Sequence, residues 1–204
     1  MLHINILSAG RRKGMKNNKV LKTQIIVIII SIILGTLLHF TYGWSGENKI
    51  IGIFSATNES VWEHLKLVFY PMLLLGIIEY FILKKEVNNY LEAKTIGIFT
   101  AISFIIVFFY TYTGILGTNF FTIDILTFIA SIILGEYVAY KIMNMEEQST
   151  NLTKALSGII LLFFLICFIV FTFNPPNVNL FIDKTQVMNQ LLAYNQNNIN
   201  IFSI

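Results

Sequence analysis

The sequence predicts an all-α, polytopic membrane protein of five transmembrane helices, with the N-terminus in the cytoplasm and the C-terminus outside. Three observations carry that prediction. Of 204 residues, 55% are hydrophobic and only 12% charged, whereas a soluble domain carries about a quarter charged residues. Five stretches meet the roughly 20 mostly apolar residues needed to cross the hydrocarbon core once interfacial flanks are counted. Lys and Arg crowd on alternate connections between these stretches, which fixes an orientation. Backbone polar groups cannot be left unpaired in lipid, so the stretches must be helices, and none alternates as a barrel strand does.

The spans fall at Lys22–Tyr42, Val61–Leu83, Thr95–Tyr112, Ile123–Tyr140 and Leu156–Phe173. Residues 1–21 form a cytoplasmic segment, 22–173 a single membrane domain and 174–204 an extracytoplasmic polar tail. Arg11, Arg12, Lys13, Lys16, Lys19 and Lys22 precede the first span. Lys84, Lys85 and Lys94 follow the second, and Lys141 and Lys154 the fourth. The opposite side carries Lys49 and Lys184, so the positive side is inside. The two arginines of the chain lie in Arg11-Arg12-Lys13-Gly14, just before Met15. With AT-rich codons this run back-translates to a ribosome-binding site, so translation is expected to start at Met15, with residues 1–14 excluded from the fold. Trp44, Trp62, Tyr110 and Tyr112 mark the outer boundary and Tyr80, Tyr90 and Tyr140 the inner one, as aromatic anchors. The net charge of +3 and the absence of a basic face argue against nucleic acid. One cysteine, Cys167, allows neither an intrachain disulfide nor a cysteine metal cluster.

The first span ends in His39, in Leu38-His39-Phe40, and carries Ser31-Ile-Ile-Leu-Gly35, which recurs as Ser131-Ile-Ile-Leu-Gly135 in the fourth. The recurrence is read as coincidence, with small-residue packing of both faces against neighbouring helices. The second span opens on the densest polar group of the chain, Asn58-Glu59-Ser60-Val61-Trp62-Glu63-His64-Leu65-Lys66. Ser60 with Glu63 reads as a capping box, and acidic Glu59 and Glu63 suit a helix N-terminus. His64 and Lys66 exceed what capping needs, and ionisable groups inside a span are functional candidates by default. A helix starting at or before Glu59 would put Glu59, Glu63 and Lys66 on one stripe and Ser60 and His64 on the next. Asp124 opens the fourth span at a similar level, so His39, His64 and Asp124 could ligate zinc, with Glu63 as general base. Metal-motif spacing of the His-Glu-x-x-His kind is absent. Toward the other side, Glu79 and Glu136 stand at matching depths. They either snorkel to the interface, with Lys84, Lys85 and Lys141 near enough to neutralise them, or face each other as a charge relay sharing a proton or a cation. In the tail, Pro175-Pro176 stops the fifth helix, and Val187–Leu192 is a candidate interfacial helix.

The Asn58-to-Lys66 run, with His39-Phe40, Trp44-Ser45-Gly46 and Phe69-Tyr70-Pro71 around it, resembles a family of small bacterial integral membrane proteins that is a domain of unknown function. The resemblance spans Gln24 to Asp183, and it extends to Phe171-Thr172-Phe173, Pro175-Pro176 and Leu180-Phe181-Ile182-Asp183. After Asp183 the chain departs from the family pattern. The resemblance supports the architecture and implies no reaction.

Three functions compete. The first is handling of a small polar solute or ion through Glu59, Glu63, His64, Lys66, His39 and Asp124, with Glu79 and Glu136 relaying charge. Five spans are few for a transporter, so this reading implies a homo-oligomer in the lipid bilayer. The second is a membrane-embedded, metal-dependent hydrolase or transferase. The third is an accessory or assembly protein in which the cluster merely caps a helix.

Overall fold

A computed structural model describes residues 2–145, 149–183 and 190, with side chains from residue 14 onward. Lys184 and, apart from Gln190, the candidate helix at Val187–Leu192 lie outside the described residues. The described chain is helical throughout: α1 (Leu2–Trp44), α2 (Lys49–Gly52), α3 (Val61–Leu83), α4 (Tyr90–Leu116), α5 (Phe121–Met143), α6 (Asn151–Phe173) and a 3-10 turn at Asn179–Phe181. Five stretches, Gly14–Trp44 of α1 and all of α3, α4, α5 and α6, are long and apolar enough to cross a membrane.

Local chemistry sets the ends. Ser60 caps α3 through its side chain, and Thr150 caps α6 in a reciprocal box with Thr153. Gly117 ends α4 in the left-handed conformation, at φ 75°, which glycine adopts without a Cβ penalty. Four helices, α1, α4, α5 and α6, begin before the predicted spans do. Polar residues near the ends are tolerated there, and in α4 the extension from Thr95 back to Tyr90 carries Lys94 into the bundle, where it is 3% exposed. It is therefore not one of the free basic residues of the inner connection.

α3 is the centre of the bundle, packed against α1, α4 and α5, while α4 and α5 run along each other and α6 lies along α4. Pro71 in α3 has no N–H to give the carbonyl of Leu67. That carbonyl faces Gly35 of α1 so closely that a Cβ there would collide with it and with Phe128. A second close approach joins Gly97 to Gly135, where a Cβ on either would come 2.6 Å from the other's carbonyl oxygen. The two Ser-x-x-x-Gly stripes thus pack against different partners, α3 and α4, with Ser31 and Ser131 fully buried.

Burial is inverted relative to a soluble domain. Ile25, Ile29 and Ile33 of α1 and Ile159, Leu162, Phe163 and Ile166 of α6 are exposed, while Glu63, Lys66, Glu79, Lys94 and Glu136 are buried. One apolar core gathers Trp62, Leu65, Phe69, Met72, Ile98, Ile102 and Phe168, and another Val20, Leu83, Val87, Ala93, Ala139 and Met143. Three expected boundary aromatics belong to the interior. Trp62 is 8% exposed and packs on Phe168 and Phe181, Tyr112 bonds to Asp124, and Tyr90 bonds to the buried Glu79. Trp44, at 70%, is exposed.

Candidate functional site

The ends of α1 and α3 meet over the loop that precedes α3, and they bring together His39, Glu59 and His64. Because α3 begins at Val61, Glu59 lies on the loop and not on a helical stripe with Glu63 and Lys66. Asn58 Oδ1 accepts the Ser60 N–H at 2.9 Å, and Asp183 Oδ2 accepts the Glu59 N–H at 3.1 Å. These two bonds hold the loop so that the Glu59 carboxylate turns back over the histidines.

The donor atoms form a small triangle. His64 Nε2 lies 3.3 Å from His39 Nε2 and 3.4 Å from Glu59 Oε2, and His39 Nε2 lies 3.8 Å from the same oxygen. The nearest point equidistant from all three corners lies in their plane, about 2.0 Å from each, and a metal raised toward a tetrahedral fourth ligand would lie about 2.2 Å from each, within about 0.2 Å of zinc–imidazole and zinc–carboxylate bond lengths. The tautomer of His64 is set from behind. Its Nδ1 lies 2.9 Å from the carbonyl oxygen of Ser60, which can only accept, so Nδ1 carries the proton and neutral His64 presents the lone pair of Nε2 to the triangle. The corners are 31%, 32% and 50% exposed, so a fourth ligand has access from solvent. Without a metal, protons fill the same space. Hydrogen bonds from His39 and then His64 hold the Glu59 carboxyl well below the usual carboxylate range, against the opposing effect of burial.

Glu63 and Lys66 face the other way, into the bundle. Lys66 Nζ lies 2.6 Å from Glu63 Oε2 and also donates to Gly52 O at 2.7 Å and Thr172 Oγ1 at 3.0 Å. Glu63 Oε2 further accepts the N–H and the hydroxyl of Thr57, both at 2.8 Å. The reciprocal half of the expected capping box is therefore not made. Ser60 Oγ accepts the Glu63 N–H at 3.4 Å, while the Glu63 carboxylate is spent on Thr57 and Lys66. Together the pair ties the α2 loop, α3 and α6 to one another.

Asp124 is bonded elsewhere. One of its oxygens accepts the Tyr112 hydroxyl, and the other accepts Asn119 Nδ2 at 3.0 Å, joining α4 to the start of α5. The carboxylate grouped with the two histidines, all ligand atoms within 4.8 Å of one another, is that of Glu59.

Toward the opposite end of α3, Glu79 is 1% exposed and Glu136 of α5 0%, so neither snorkels. Lys94 stands between them, 3.0 Å from Glu79 Oε2 and 2.6 Å from Glu136 Oε1. Of the lysines expected to neutralise them, Lys84 lies over the Phe81 ring, Lys141 over the Tyr137 ring, and Lys85 is exposed. Lys94 is the residue that sequence reasoning missed. Its signal was two glutamates inside spans and a lysine directly before the third span, where one more residue of helix draws it inward.

The Asn58–Lys66 run thus divides its work among its side chains. Asn58 and Ser60 shape the loop and cap, Glu59 and His64 belong to the triangle, Trp62 packs on the tail, and Glu63 and Lys66 lock three elements. A family described as of unknown function (DUF6512) matches residues 12–189. No curated protein and no solved structure matches the chain. The chain belongs to this family of unknown function.

Proposed function

We propose that this member of the family is an integral membrane protein that binds a transition-metal ion, best zinc, through His39, Glu59 and His64 at the outer end of its bundle. The observation that carries the reading is the triangle itself, two imidazole nitrogens and a carboxylate oxygen whose common centre is about 2.0 Å from each. Zinc accepts this N/O set, and three protein ligands leave a fourth position for water or a transferred ligand. Helix length and apolarity, with isoleucine and phenylalanine outward and charge inward, support membrane integration. Seven basic residues from Met15 onward, at Lys16, Lys19, Lys22, Lys84, Lys85, Lys141 and Lys154, flank the other ends of the spans and support an N-in orientation that puts the metal outside.

Ion handling is favoured over metal-dependent hydrolysis by the state of Glu63. A general base needs a free lone pair toward the metal-bound water, and Glu63 Oε2 already takes bonds from Thr57 and Lys66 inside the bundle. Metal content of the detergent-purified full chain tests the reading. Near-stoichiometric zinc is expected in the wild type and in Asp124→Asn, and loss is expected in His39→Ala, His64→Ala and Glu59→Gln. A folded wild type without metal after zinc loading, or loss confined to Asp124→Asn, would reject it.

A further inference from the structure

Gln24 of α1, Glu79 of α3, Tyr90 and Lys94 of α4 and Glu136 of α5 meet at the inner end, none more than 4% exposed. Lys94 Nζ donates to both oxygens of Glu136, at 2.6 and 2.7 Å, and to Glu79 Oε2 at 3.0 Å. Two ionised carboxylates and one ammonium would leave an excess negative charge sealed from water. Among the described residues no other lysine is paired with these carboxylates: Lys19 pairs with Glu86, Lys84 and Lys141 lie over aromatic rings, and Lys22 and Lys85 are exposed. A buried charge without a partner is removed most readily by taking up a proton.

Two neighbours say where that proton sits. The Tyr90 hydroxyl is 2.6 Å from the carbonyl oxygen of Gly76 and 2.9 Å from Glu79 Oε2. A phenol has one proton, and a carbonyl can only accept, so with the proton on the shorter bond the Glu79 contact needs a donor on the carboxyl side. Gln24 speaks for the same oxygen. Its Nε2 donates to the other one, Glu79 Oε1, at 2.6 Å, so Oε1 is an acceptor and the proton belongs on Oε2, facing Tyr90. Met143 Sδ, 3.6 Å from the Gln24 amide, adds no charge.

We propose that this cluster is a proton-binding site that holds one proton on Glu79 while Lys94 and Glu136 remain an ion pair. The proton is taken from water and no other bond changes, so the cluster is neutral when loaded. The inference rests on the inner residues alone and is independent of the metal reading. It gives the bundle a store for one proton at the end opposite the triangle, the element that a proton-coupled movement of ions requires.

Infrared spectroscopy of the full chain at neutral pH, in H₂O and D₂O, tests the proposal. The folded wild type should show a carbonyl stretch of a protonated carboxylic acid that shifts in D₂O. Glu79→Gln and Glu136→Gln, both isosteric, should each abolish it, because the remaining carboxylate is then matched by Lys94. No such band in the folded wild type overturns the proposal, and so does a band that survives in either folded variant. The wild-type spectrum decides against the proposal even if a variant fails to fold.

Discussion

Glu63 and His64 are neighbours on α3, yet one is sealed and the other open. Glu63 is 2% exposed, and its carboxylate is bonded to Lys66 and Thr57. His64 is about one-third exposed, and its Nε2 faces another imidazole and a carboxylate across gaps of 3.3 and 3.4 Å. One residue along a helix is a turn of 100°, which separates a direction into the bundle from a direction toward α1. The contrast teaches that charge in this protein has two uses. Where donors and acceptors match and water is excluded, the group ties helices together. Where nitrogen and oxygen donor atoms gather and solvent can enter, the group is suited to hold an ion.

The comparison breaks most sharply at Lys66. Lys66→Met keeps the length of the side chain but leaves Glu63 buried without its cation, and a cost of about 3–5 kcal/mol is expected. Denaturant unfolding in detergent should register it as a large loss of folded protein. Glu59→Gln should do the reverse, lowering zinc affinity by about 100-fold or more while changing stability by less than about 0.5 kcal/mol, because the side chain is half exposed. Zinc titration beside thermal unfolding separates the two effects. Asp183→Asn weakens the bond to the Glu59 N–H without touching a ligand, so affinity should fall by about tenfold. Ser60→Ala removes a long cap bond of 3.4 Å, and a loss of only about 0.5 kcal/mol in unfolding free energy is expected.

The spans were legible because length and apolarity are properties of the chain alone, and Val61–Leu83 is predicted with the same limits as α3. The Ser60 cap was legible for the same reason, being local. Depth along a helix was also readable, which put His39 and His64 at one level. Rotation was not. Hydropathy cannot say whether Glu63 or His64 faces α1, and helix rotation is set by packing such as the contact of Leu67 O with Gly35. A stripe joining Glu59 to Glu63 and Lys66 requires helix at or before Glu59, whereas α3 begins at Val61, and the Asn58 and Asp183 bonds that turn Glu59 over the histidines depend on a loop and a distant segment. Lys94 was read as a free cytoplasmic charge because apolarity placed the start of α4 at Thr95, whereas helix continues back to Tyr90 and draws the lysine between two glutamates.

His64 and Glu79 are 15 residues apart on α3, about 22 Å along its axis, so the open triangle and the sealed Glu79 cluster occupy opposite ends of one helix. The metal centre is the central claim. Zinc-edge X-ray absorption of the zinc-loaded full chain tests it most directly. A first shell of two imidazole nitrogens and carboxylate or water oxygen at about 2.0–2.1 Å, reduced to one imidazole in His64→Ala, is the predicted result. A shell without imidazole, or one identical in wild type and His64→Ala, would contradict it.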